Sequence, residues 1–391
     1  MEKVKIIDFC NISNGFAFKS DKYISENGAR VIRITNVQKG KIVDNDPKLY
    51  PFSELDKLEA YKIFEGDILM SLTGNVGRVG RFPKELLPAY INQRVCRVMP
   101  KNEKLDTNFL FHFLNSDVFE NEAIKNSAGA AQLNLSTKWL GDFEIPLPNL
   151  ATQQRIAAIL DQADAIIQNN RAIVQKYDAL TQSLFLDMFG DPVKNEKGWE
   201  IRKMEEISLK ITDGTHQSPK FLKEGIPFLL VSNIVNNKIN YKTNKFISEE
   251  DFETLNKRTP IEIGNILLTS VGSYGNPAII ESQMKFAFQR HIAFIKPNHS
   301  MINYHFLFHF LKSDLIKREI DKKVKGAAQK TYNLVELKNL RIISPPINFQ
   351  NQFAERVALI ESQKQQAQLE LAKSEELFAS LLQRAFNGEL S

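Results

Sequence analysis

A six-residue block, Phe109-Leu110-Phe111-His112-Phe113-Leu114, recurs without change as Phe306-Leu307-Phe308-His309-Phe310-Leu311, displaced by 197 residues. Gly129-Ala130-Ala131-Gln132 recurs as Gly326-Ala327-Ala328-Gln329 at the same displacement, and Gly28 and Asn36 return as Gly225 and Asn233. Gly66, Gly74 and Gly77 return as Gly264, Gly272 and Gly275 displaced by 198, so small differences in loop length are absorbed inside each copy. A period of this size marks a duplicated domain, because solenoid units repeat every ~20 to 50 residues. The 391 residues therefore fold as two copies of one plan, each long enough for its own hydrophobic core.

Each copy reads as a mixed head followed by a helical tail, an α+β class overall. The heads carry short β-type runs such as Val31-Ile32-Arg33-Ile34 and Phe228-Leu229-Leu230-Val231, punctuated by Gly, Asn and Pro. In the Phe/Leu blocks, Phe109 and Phe113 or Leu110 and Leu114 lie four apart, on one helix face. The first tail steps by threes and fours through Ile156, Ile159, Ala163, Ile166, Asn170, Ile173, Tyr177, Leu180 and Leu184, as a coiled-coil seam does. The second steps through Phe353, Val357, Ile360, Lys364, Ala367, Leu371, Ser374, Phe378, Leu381 and Ala385. Gly190 with Pro192, and Gly388, end the two helices. The expected segments are a head over 1–149, a long helix over 150–190, a second head over 191–347 and a second long helix over 348–391. Each apolar stripe needs a partner, and the nearest is the other helix. Antiparallel pairing would make a rod of roughly 57 Å at ~1.5 Å per residue, with a head at either end and an approximate two-fold relating the copies. Asn170 within the seam fixes register or sits partly exposed. The Gln-rich outer faces, with Gln153, Gln154, Gln162, Gln168 and Gln175 on the first helix, are a partner surface or merely solvated.

Several chemistries are disfavoured. Two cysteines, Cys10 and Cys96, are too few for a disulfide framework or a structural zinc site. No run approaches the ~18 apolar residues of a membrane span, so the expected compartment is the cytoplasm, without membrane association. His305 and His309 are spaced like a zinc pair, but Phe306 stands where a metalloprotease needs its glutamate, and the apolar surroundings read as packing. Gly74-Asn75-Val76-Gly77-Arg78-Val79-Gly80 has the wrong glycine spacing for a dinucleotide loop, and no Walker lysine loop or amino-methyltransferase motif occurs. The net charge of +5 is local: the second head carries 24 basic against 17 acidic residues, the first 20 against 19 over residues 1–150. That is compatible with phosphate binding but would not by itself identify a nucleic-acid binder.

The polar residues on turn-rich loops are the candidates for function. Thr215, His216, Gln217 and Ser218 can reach phosphates or base edges, or serve ordinary turn chemistry. Ser71, Thr73 and Asn75, and Ser270, Ser273 and Tyr274, follow strand-like runs on glycine-bearing loops that permit close backbone approach to a phosphate. Asn92-Gln93-Arg94 and Gln289-Arg290-His291 combine amides and guanidinium groups, the side chains suited to adenine and guanine edges, with a strand-surface role as the alternative. Gln132 and Gln329, repeated after small residues, suggest a shared backbone contact or a shared turn.

The order of these pieces carries a family resemblance. Gly190-Asp191-Pro192 and Lys197-Gly198-Trp199-Glu200 open the second copy, followed by Asp213-Gly214-Thr215-His216-Gln217-Ser218-Pro219 and Gly225-Ile226-Pro227-Phe228. Gly66-Asp67-Ile68-Leu69 and the exit Ile145-Pro146-Leu147-Pro148, leading to Gln153-Gln154, stand in the first. Over nearly its whole length the chain resembles the specificity subunit of type I restriction-modification systems, and its heads resemble target recognition domains. It departs at Asn14-Gly15-Phe16-Ala17-Phe18, where the second head has the Gly-Thr-His form, and at the exit Ser344-Pro345-Pro346.

The resemblance implies a DNA reader with no catalytic centre. Each head would read half of a bipartite, asymmetric double-stranded target. The helices would set the spacing and carry two modification (adenine methyltransferase) subunits, with restriction/translocase subunits where present. No cofactor is expected on this chain: S-adenosylmethionine would serve the methyltransferase, ATP and magnesium a restriction subunit. The DNA-facing candidates are then Lys19, Arg33, Asn36, Ser71, Thr73, Asn75, Asn92, Gln93, Arg94 and Gln132 in the first head. In the second they are Thr215, His216, Gln217, Ser218, Lys220, Asn233, Ser270, Ser273, Tyr274, Gln289, Arg290 and Gln329. The seam residues are Ile159, Ile166, Asn170, Ile173, Leu180, Val357, Ile360, Leu371 and Phe378. A coiled-coil scaffold whose heads bind proteins is the rival, and it leaves the duplicated Gly/Asn/Gln loops without purpose.

Overall fold

The computed structural model describes residues 3–127, 133–326 and 330–390. The chain divides into two compact units, Met1–Arg171 with Leu369–Ser391, and Ala172–Gln368. The boundary falls inside the two long helices, Leu150–Phe189 and Ile347–Phe386, so each unit holds one head and part of each helix.

The heads repeat one plan in the four central strands of the larger sheet and in the smaller sheet. In the first, Cys10–Asn14, Val95–Pro100, Ile68–Ser71 and Val79–Arg81 lie side by side, extended by Gly40–Ile42 and Val37–Gln38. In the second, Ser208–Asp213, Ile292–Pro297, Ile266–Thr269 and Pro277–Ile279 take the same places. A smaller sheet follows in each: Leu49–Pro51, Gly28–Ile32 and Ala89–Ile91, matched by Phe246–Ile247, Ile226–Leu229 and Ala287–Phe288. Lys3–Lys5 pairs antiparallel with Glu144–Pro146, and Glu200–Lys203 with Arg341–Ser344, so each head's entry and exit lie together where the long helix begins.

The strands expected at 31–34 and 228–231 lie two to three residues earlier, at Gly28–Ile32 and Ile226–Leu229. A buried asparagine turns the chain in each head. Asn36 accepts from the Arg33 N–H and donates to the Val43 carbonyl; Asn233 accepts from the Leu230 N–H and donates to the Asn240 and Lys242 carbonyls.

The duplicated Phe/Leu blocks form helices Thr107–Leu114 and Tyr304–Lys312, capped by the side chains of Asp106 and Asn303. Phe109, Leu110, Phe113 and Leu114, and their counterparts Phe306, Leu307, Phe310 and Leu311, are buried in the two largest cores. At about 1.5–3 kcal/mol per buried large apolar side chain, this block anchors each head.

Within each unit the helix segments run antiparallel. In the first unit, Asn170 Nδ2 donates to Ser374 Oγ at 2.9 Å, Arg171 pairs with Glu375, and Leu160 shares a core with Leu382. In the second, Lys364 pairs with Asp178 at 2.6 Å, and the Phe185 and Phe353 rings meet edge to face. The second helix buries its inner positions as read, including Val357, with Ile360, Leu371 and Phe378 half-buried. On the first helix one row of the seam requires a correction, while Ile156 and Ala163 are buried and Asn170 and Tyr177 half-buried as read. Ile166, Ile173 and Leu180 are exposed, while Leu160, Ile167 and Thr181 are buried and Val174 is half-buried. Ile159-Leu160, Ile166-Ile167 and Ile173-Val174 are adjacent apolar pairs, so two stripes satisfy the heptad pattern, and packing selects the one a residue further on. Ile159 is half-buried at the edge of that face. Among the described residues, no helix is long and apolar enough to cross a membrane.

Candidate nucleic-acid interface

At one end of each larger sheet, four loop segments are stitched together by backbone hydrogen bonds. In the first head Phe16 N bonds Ile91 O, Gln93 N bonds Phe16 O, Leu72 N bonds Arg94 O, and Gly74 N bonds Leu133 O. In the second head Thr215 N bonds Phe288 O, Arg290 N bonds Thr215 O, Ser270 N bonds His291 O, and Gly272 N bonds Lys330 O. The scaffold is therefore constant, while its side chains differ between the heads.

Gly15 and Gly214 permit the tightest crossing. A Cβ on either would lie 2.2 Å from a carbonyl oxygen, that of Asn92 or that of Phe288, so no side chain fits without moving the loops. The sequence reading missed these two glycines as functional positions, though their displacement, close to the 197-residue repeat, was a usable signal.

On this crest Lys19, Asn75, Gln93 and Arg94 are exposed in the first head, with Thr73 and Asn92 half-exposed. In the second, His216, Gln217, Ser218, Lys220, Ser273 and Arg290 are exposed, with Thr215, Tyr274 and Gln289 half-exposed. Some are already engaged. Thr73 Oγ1 bonds Asn134, Thr215 Oγ1 donates to the Gln217 carbonyl, and His216 meets Asp213 at 2.9 Å. Asp213 also receives Arg258, a residue the sequence reading did not single out, which places a guanidinium group beside the Thr215 loop. Tyr274 donates to Asp321 and carries Lys317 over its ring at 3.8 Å.

Three candidates are corrected to structural roles, and a fourth, Ser270, is buried. Asn36, Asn233 and Ser71 are buried as well. The two asparagines close turns, as above, and the Ser71 hydroxyl donates to the Asn75 carbonyl, as Thr269 does to Ser273 in the second head. Small polar residues beside glycines read alike whether they close a loop from inside or face outward. Arg33 is half-buried and held by Asp46 through Nη2. Gln132 and Gln329 lie outside the described residues.

Among the described residues no cluster of His, Cys, Asp or Glu could hold a metal ion. Cys10 and Cys96 are free and buried, and burial pushes both thiols up to about 12. His309 packs on Phe353, and burial lowers it to about 3.

The family model for the type I restriction modification DNA specificity domain matches residues 1–176 and again 196–371. The chain belongs to this specificity family. Among similar proteins is the type I restriction enzyme EcoBI specificity subunit of Escherichia coli, 27% identical over 100% of this chain and 86% of that subunit. The MjaVIII specificity subunit of Methanocaldococcus jannaschii is 33% identical, over 44% of this chain and 41% of its own length. The crystal structure of a type I S subunit from M. genitalium, 17% identical, covers 98% of this chain and 96% of its own with a TM-score of 0.54, which shows a shared fold. The two matched segments of the specificity family coincide with the two copies of the repeat, each running from a head into a long helix.

Proposed function

We propose that this chain, the DNA-specificity subunit of a type I restriction-modification complex, reads a bipartite double-stranded target with one half assigned to each head. The observation that carries this reading is the constant loop scaffold with changed side chains. Asn92-Gln93-Arg94 on one crest is replaced by Gln289-Arg290-His291 on the other, over matching backbone hydrogen bonds. Phosphate contacts fix register, whereas the base edges are read by amides and guanidinium groups, so a fixed frame with variable tips suits two different half-targets.

The long helices supply the second part of the reading. Ile166, Ile173 and Leu180 on the first, and Leu359, Leu369 and Leu377 on the second, are large apolar side chains left exposed. Such residues on an otherwise polar helix mark protein contacts, and two adenine methyltransferase subunits are the partners proposed for them, in the cytoplasm with their DNA. Restriction/translocase subunits join where the system has them. S-adenosylmethionine is the methyltransferase's cofactor, ATP and magnesium those of the restriction subunit.

The test is reconstitution. The purified chain is expected to transfer no methyl group from labelled S-adenosylmethionine, and the chain with its methyltransferase subunits is expected to methylate adenine within one bipartite sequence. Methyl transfer by the chain alone would overturn the division of labour.

A further inference from the structure

Gln153 and Gln350 stand 197 residues apart, each on the first turn of a long helix and each 0% exposed. Gln153 Oε1 accepts the Asp106 N–H at 2.8 Å, while Nε2 donates to the carbonyls of Lys104 at 3.0 Å and Pro148 at 2.8 Å. Gln350 Oε1 accepts the Asn303 N–H at 2.8 Å, and Nε2 donates to Met301 at 3.3 Å and Pro345 at 2.7 Å. In each unit one side chain thus ties together the approach to the head's Phe/Leu helix, that helix's capping residue, and the proline segment by which the chain leaves the head. The sequence placed Gln153 on a solvated or partner-facing surface, and the structure corrects this.

The chemistry admits few substitutes. Glutamate lacks the Nε2 donors and would set a carboxylate against two carbonyl oxygens; methionine fills the space but leaves an N–H and two carbonyls unpaired in the interior. The entry and exit strands also pair at both joints, but the side-chain contacts of the neighbouring helix are not all shared. Asp161 receives Asn108 and pairs with His112 at 2.7 Å in the first unit, whereas the matching position in the second is Ala358.

Leverage makes the joint consequential. Strand Val95–Pro100 runs from the crest at Asn92–Arg94 down toward the segment held by Gln153, and Ile292–Pro297 runs likewise toward the segment held by Gln350. A strand of that length spans ~20 Å, so a tilt of ~10° at the joint moves the crest by ~3.5 Å, about one base-pair step.

We propose that Gln153 and Gln350 are positioning residues that fix the angle at which each head meets its long helix, and thereby set the spacing at which the two half-targets are accepted. This rests on the reading of the heads as half-target readers.

The test uses the full complex with its methyltransferase subunits, on duplexes whose two half-targets are separated by the cognate spacer or by one or two base pairs more or fewer. Three variants of graded severity are compared: Asn351→Ala, which removes only an outer bond from Asn303 and leaves the buried amide intact, Gln350→Met, and Gln350→Glu. The preference for the cognate spacer over its one-base-pair neighbours is expected to fall in that order, reaching about tenfold for Gln350→Glu, the order of effect of unpairing buried polar groups. Discrimination against single base changes within each half-target is expected to stay unchanged, because the crest is untouched. A uniform loss of rate on every spacer, tracking the melting temperature, would mean the amide only stabilises the fold and would overturn the proposal. Unaltered spacer preference throughout the series, Asn351→Ala included, overturns it as well. A wild-type complex that methylates without any spacer preference would instead remove the half-target reading beneath it.

Discussion

At the residue scale, the exposed tips and the buried supports of the crest make opposite predictions. Arg290 is exposed on the second head, its Nε directed at the neighbouring His291 ring, so Arg290→Ala is expected to leave the melting temperature nearly unchanged. Selectivity in one half-target is expected to relax by about 1–3 kcal/mol, the worth of a good base contact, measured by methylation of targets with single base changes. Equal loss on all sequences would reassign Arg290 to phosphate binding. His309 governs a different property. Burial first, then the nearby lysines, holds its folded pKa down at about 3, against ~6.5 in an unfolded chain. Below pH ~6.5 the unfolded state takes up the proton and the folded state does not, so stability falls with pH until the folded pKa is reached. His309→Phe is therefore expected to remove roughly 2 kcal/mol of the difference in unfolding free energy between pH 7 and pH 5, read by urea denaturation at both pH values. An unchanged difference would place the acid sensitivity elsewhere.

At the scale of elements, Ile166 and Ile167 are adjacent on one helix but 51% and 4% exposed. Ile167→Asp is expected to destabilise the chain by about 3 kcal/mol or more, since it buries an unpaired charge. Ile166→Asp is expected to spare stability and to weaken capture of the methyltransferase subunits, measured by co-purification at matched concentrations. Reversed outcomes would restore the register read from the sequence. The pair also explains what the sequence could not settle. Duplicated Phe/Leu blocks, helix ends at Gly190 and the second helix's inner face were legible because one pattern fitted each. The first helix offered two apolar stripes, and only packing against its partner decides between them. Likewise Asn36 and Ser71 resembled exposed turn residues because composition records polarity, not direction. Gln153 was hidden by its company among surface glutamines, although its match to Gln350 at the repeat displacement was in plain view.

At the scale of the whole molecule, the duplication gives one chain two loop crests with different side chains on a shared scaffold, which lets each head diverge at its tips without disturbing the joint below. The central claim is that each head reads its own half of the target, and exchanging a head tests it most directly. Residues 16–145 are replaced by the corresponding segment of a relative with a known target, and the modified adenines are mapped by sequencing DNA methylated by the reconstituted complex. The account predicts a hybrid target in which one half and the spacer are retained and the other half becomes that of the donor. Recognition in which both halves change, while the chain remains folded and bound to its methyltransferase subunits, would contradict it.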